Sequence, residues 1–179
     1  MPTLGAEGSS KEVYISDALP AGTAHVGQVN TPGDAINGTP VCDTLIYAAG
    51  DVLFDTTAIA GAVRTSGGRA ELVSVTVLDE DDQAAAVMDL YFLRSNVSLG
   101  TFNVAPAITD ANAREIQGYV SIAAADWKDL GGAKVACVKN IGLLLEPTTG
   151  TTLYVAGVTA GTPTQTASGL KLYFGFRQH

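Results

Sequence analysis

Residues 70 to 95 constrain this chain more than any other stretch. Val73, Val75 and Val77 fall on one side and Ser74 and Thr76 on the other, the period of two that a half-buried strand requires. A second run follows, with Met88, Leu90 and Phe92 on one face and Asp89, Tyr91 and Leu93 opposite. β-branched and aromatic residues, which pack well on a pleated surface, concentrate in both runs. Between them lies Asp79-Glu80-Asp81-Asp82. The segment therefore reads as a hairpin, two long strands joined by an acidic tip.

Further short strands are predicted at 44–48, 52–54, 119–123 and 151–158. Lys134 to Leu145 reads as a long bent strand with Gly142 as its bulge, and the closing strand turns Leu170, Leu172, Phe174 and Phe176 to one face. Helical signals are slight. Asp110 can cap a short helix running to Ile116 with Gly118 past its end, and Asp126 to Asp129 reads as a tight helical turn. Many short strands separated by turn residues predict an all-β fold, an antiparallel β-sandwich of jelly-roll type. Residues 1–44, punctuated by Gly and Pro with one β-like run at Glu12 to Ser16, predict an extended N-terminal arm ahead of a sandwich domain at 45–179. The arm reads either as a loose tail or as a segment that orders along a partner or a neighbouring subunit.

The chemistry that such a domain can carry is bounded by what it lacks. The net charge of −8, from Lys+Arg 10 against Asp+Glu 18, argues against nucleic acid, whose binding needs a basic stripe. No apolar run reaches membrane-spanning length, and the N-terminus has no signal-peptide pattern, so a soluble protein made in a cytoplasm is expected. The two histidines are His25, in the arm, and His179, the last residue, which removes the usual general base and zinc ligand from the domain interior. Cys42 and Cys137 stand in no Cys or His cluster and are expected to be free and buried. Catalytic residues, cofactor-binding residues, metal ligands and cofactors are accordingly expected to be none. The Asp79 to Asp82 tip reads first as a solvated hairpin turn, with a Ca²⁺ loop or a charge facing a basic partner as alternatives. Trp127 reads as a core plug beneath a loop or as an exposed anchor for a subunit or a carbohydrate. With 46% hydrophobic and 16% charged residues, part of the surface is expected to be covered by other subunits.

A succession of short patterns adds to this reading. Leu90-Tyr91-Phe92-Leu93-Arg94-Ser95, the stretch from Gly118 to Trp127, Asp129-Leu130-Gly131-Gly132, Lys139-Asn140-Ile141-Gly142-Leu143, Thr149-Gly150-Thr151-Thr152-Leu153-Tyr154 and Leu172-Tyr173-Phe174-Gly175-Phe176 together resemble small virion structural proteins of tailed bacteriophages, the head decoration or cement proteins. The resemblance covers about residues 44 to 177. It implies a non-enzymatic β-rich protein, a homotrimer on the capsid surface of a virion made in a host bacterial cytoplasm, with the major capsid protein as partner. A tail or host-adsorption component is the alternative within structural proteins. A carbohydrate-binding β-sandwich module working through Trp127 is the alternative from another class.

Overall fold

The structure is a computed structural model, and it describes residues 36–83 and 86–179. Most of the expected arm, including the run at Glu12 to Ser16 and His25, lies outside the described residues. Among the described residues nine strands form two antiparallel sheets. They are β1 (Ile36–Gly38), β2 (Val52–Ile59), β3 (Ala70–Asp79), β4 (Met88–Leu93), β5 (Ile116–Ile122), β6 (Trp127–Asp129), β7 (Lys134–Leu145), β8 (Leu153–Thr159) and β9 (Leu170–Gln178). The first sheet has the order β1-β9-β3-β7-β6 and the second β2-β8-β4-β5. Pairs nest from the ends of this span inward: β1 with β9, β2 with β8, β3 with β7, β4 with β5. Alternate pairs belong to alternate sheets. This is the jelly roll, a β-sandwich in which one long folded ribbon supplies both layers.

The core lies between the sheets. Leu72, Val75 and Val77 of β3, Leu90 and Phe92 of β4, Val155 of β8 and Leu172 of β9 are wholly enclosed. Each such side chain contributes roughly 1.5–3 kcal/mol on leaving water. Phe92 and Phe174 meet edge to face across the two sheets, centroids 5.9 Å apart, a geometry that aromatic quadrupoles favour. The faces expected of β4 and β9 are the faces observed.

Several expectations change. Strands β3 and β4 do not form a hairpin: β3 pairs with β7 and β9, and β4 with β5 and β8, in the other sheet. A period of two identifies strands but carries no information on which strands they pair with. The inward set of β3 also changes parity, from Ala70 and Leu72 to Val75 and Val77, with Val73 half-buried between them. The cause is a bulge. Leu72 faces Leu143 and Ser74 faces Lys139, so Asn140 to Gly142 stand against the single Val73. Asn140 and Gly142 take φ of 59° and 72°, the left-handed region where glycine meets no Cβ penalty. The expected bulge at Gly142 is therefore present. The helix begins at the expected Asp110 but ends at Ala113, capped by the Thr109 side chain on Asn112 N. Ile116 and Gly118 belong to β5 instead. Trp127 to Asp129 is a strand preceded by a 3-10 turn at Ala124–Asp126. The sandwich starts ahead of Leu45, because Ile36–Gly38 pairs with β9 and Cys42 is buried in the core.

The second sheet carries a smaller apolar layer on its outer side, where the loop after β4 folds back. Val52, Leu93, Leu99 and Ala156 are buried there, with Val97 and Ile108 packed against them. The loop is held by Asp55, whose carboxylate accepts from Ser98 Oγ at 2.7 Å and Leu99 N at 3.0 Å, and by a backbone exchange between Val52 and the pair Asn103 and Val104.

Gly157 lies under the Phe54 ring, and a Cβ built there would stand 2.3 Å from a ring carbon. Because Phe54 is fully enclosed, it cannot swing aside. Gly157→Ala is expected to destabilise the fold by about 1–3 kcal/mol. Urea unfolding with an unchanged m-value checks it, and wild-type stability in the variant would contradict the packing described.

Candidate functional site

The acidic segment is a corner that carries the chain from one sheet to the other. Asp79, the last residue of β3, has no exposed surface. Its carboxylate accepts from the backbone N–H of Asp81 at 2.9 Å and of Gln83 at 3.1 Å. Burial pushes its pKa up, and those two bonds oppose the rise without cancelling it. The Gln165 carboxamide acts in the same downward sense, although both of its polar atoms are buried without a partner in hydrogen-bond geometry. We take it to be near the carboxylate but not bonded. Asp81 turns to Thr166, accepting from its N–H at 2.7 Å and its hydroxyl at 2.9 Å. Asp82 pairs with Lys134 at 3.3 Å, and the same ammonium donates to the carbonyls of Asp82 and Gln83. Glu80 lies 3.7 Å from Lys171. The four acids thus diverge to four different partners. The solvated hairpin turn is corrected to a structural corner, because closing the core against the second sheet buries Asp79. Among the described residues no group of three His, Cys, Asp or Glu side chains is arranged to hold a metal ion.

Cys42 lies beneath this corner. Burial first, then the charges of Asp81 and Asp79, push its thiol up to about 12. Cys137 is exposed on β7, where it accepts a weak hydrogen bond from Thr76 Oγ1 at 3.4 Å. Both are free, so the expectation of two buried thiols holds for Cys42 only. The side chain of Cys137 falls on the outer face because β7 alternates and Ala136 faces inward. Trp127 is half-buried, packed against the core from β6, and its Nε1 has no partner. It matches the core plug more closely than a fully exposed carbohydrate platform. His179 is exposed, its N–H bonded to Arg69 O.

Composition could not locate the surface that stands out most. Asn103 Nδ2 donates to Asp43 Oδ2 at 3.1 Å. That bond first, and then the backbone N–H groups of Leu45 and Thr44, lower the Asp43 pKa against the opposing effect of desolvation, and the Asn103 bond joins two segments that expose large apolar side chains. Leu45 is 64% exposed, Ile46 67% and Val104 53%, with Val41 and Phe102 beside them in the chain. The segment around Ile46 is otherwise fixed, by the Ile46 bridge to Thr164 and by the Tyr47 hydroxyl donating to Leu53 O at 2.9 Å. Rigid, exposed apolar groups of this kind mark contact surfaces more often than bare protein. The signal available in the sequence was the run Thr44-Leu45-Ile46-Tyr47-Ala48, read only as a strand.

No protein-family model matches this chain, and comparison with curated proteins finds no similar one. Among the described residues no helix is long and apolar enough to cross a membrane.

Iodoacetamide applied to the native protein is expected to modify Cys137 and spare Cys42, since the thiolate is the nucleophile. Peptide mapping by mass spectrometry reads the result; equal labelling would show that the corner opens. Asp79 also makes a pH prediction. Its folded pKa lies above the unfolded value of 3.8, so the native state holds the proton more firmly. Stability from this group falls as pH rises from about 3.8 to the raised pKa and is level above it. The advantage of Asp79→Asn over wild type should therefore widen across that interval, and parallel stability curves would remove the assignment. Asp43 is common to both proteins and cancels.

Proposed function

We propose that this protein is a structural virion protein, a head decoration or cement protein that binds the outer surface of a phage capsid, contacts the major capsid protein and works as a homotrimer without catalysis. The observation that carries this reading is the rigid apolar pair of segments around Leu45, Ile46 and Val104. A subunit interface of ordinary size covers about 800 Å² on each side and is most apolar at its centre; Leu45, Ile46 and Val104 supply exposed apolar groups for such a centre. The sequence resemblance to virion proteins supports the same reading. So does the jelly roll, a fold that capsid proteins use. In a shell, many copies reinforce weak individual contacts, so affinity accumulates without any bond chemistry.

Light scattering on the purified protein is expected to give a trimer, and Ile46→Asp is expected to shift it to monomer, since a buried charge at an apolar contact is strongly unfavourable. A monomeric wild-type protein would count against the trimer. Electron cryomicroscopy of particles should place the protein where capsid subunits meet. Density on the tail alone would overturn the head reading and favour the tail or adsorption component.

A further inference from the structure

One end of the sandwich, where Gly118 of β5 packs against Leu143 of β7, holds an open cavity of about 460 Å³. Its polar wall is Arg69, Arg94, Gln117 and Glu146, and its apolar wall includes Ile116 and Leu144. We infer that this cavity binds a carboxylate carried on an aliphatic stem.

Donors outnumber acceptors in this wall. Glu146 accepts from Arg69 Nε at 2.8 Å, which accounts for one cation and one anion. The Arg94 guanidinium has no hydrogen-bond or ion-pair partner among the described residues, and its Nε is buried. The nearby Glu115 carboxylate is engaged by Ser95 Oγ at 2.6 Å. The orientation of Gln117 is set, because its Oε1 accepts from Glu146 N at 2.8 Å. Its Nε2 is therefore a donor, and it too is buried with no acceptor. A buried donor left without a partner has given up its hydrogen bond to water and gained none in return. Both donors belong to residues that line this cavity, and together they mark a place where an acceptor is missing.

The backbone holds this arrangement firmly. Arg94 N donates to Glu115 O and Arg94 O accepts from Thr148 N, both at 3.0 Å. Arginine's planar fork matches a carboxylate with two parallel bonds. The charge balance selects the anion. Among the lining residues Arg69 and Glu146 neutralise each other and Arg94 leaves a single positive charge, which a carboxylate balances and a phosphate dianion exceeds, in a chain of net charge −8. Leu144, 54% exposed, offers a surface for the methylene stem. A glutamate side chain of another protein and a free short-chain carboxylate share this chemistry. The inference does not depend on the virion reading.

The test is an NMR titration of the full ¹⁵N-labelled chain at constant ionic strength. The probes are butyrate, the capped peptide acetyl-Ala-Glu-Ala-amide, its Gln counterpart, butylamine and inorganic phosphate. Saturable shifts of the Arg94 Nε–H and Gln117 Nε2 resonances are expected with butyrate or the Glu peptide, and none with the Gln peptide or butylamine. A response to butyrate alone identifies a small-molecule site, and a response to the peptide identifies a site for protein side chains. Arg94→Lys is expected to weaken binding about tenfold, the loss of one charge-assisted bond, and Gln117→Glu to abolish it. No saturable shift with either carboxylate in the wild type would overturn the inference. So would tighter binding of phosphate, or unchanged affinity in variants whose spectra remain folded.

Discussion

Strand β3 is the constraint on which the rest of the structure depends. Both of its edges are bonded, to β7 on one side and β9 on the other, while Leu72, Val75 and Val77 fill the space beneath the second sheet. Partners so distant in the chain make this strand the point where the two halves of the folded ribbon close on each other. Its bulge at Val73 follows from the same demand. One residue opposed by three bends the strand and raises its twist, and the parity change lets apolar side chains face inward on both sides of the bend.

Polar groups fasten the periphery where apolar packing stops. Asp79 is the clearest case: two backbone N–H bonds hold its carboxylate at the end of β3, and the chain can then turn out of one sheet and into the other. Asp55 does the same for the loop after β4, so that the outer side of the second sheet acquires its own apolar layer. Among the described residues the outer face of the first sheet has no such cover over Thr76, Cys137 and Tyr173. Over the described residues the two faces of the sandwich are thus chemically unlike.

The two candidate contact regions differ in kind. The segments around Ile46 and Val104 are apolar, rigid and open, suited to an interface whose stability comes from excluded water. The cavity at Arg94 is small and donor-rich, suited to one group of defined charge and shape. On the readings proposed above, the first would hold the protein in an assembly and the second would select one anionic group.

The strands themselves were legible in the chain. Alternation marked the inward faces of β4 and β9, and Gly142 marked the bulge, because these depend on side-chain period and local φ. Where the alternation expected of β3 failed, Val73 is an extra residue against β9 and stands opposite the bulge in β7, and both irregularities belong to pairing with distant strands. Pairing could not be read either: the apparent hairpin at Asp79 to Asp82 is a crossing between sheets, and Ile116 left the helix for β5 because β4 was there to bond it. Nor could the sequence bring Arg94, Gln117 and Arg69 to one cavity, or Asp43 to Asn103. Periodicity is a property of neighbours in the chain, whereas partners, burial and unmatched donors are set by residues far apart in it, which only the closed sandwich brings together.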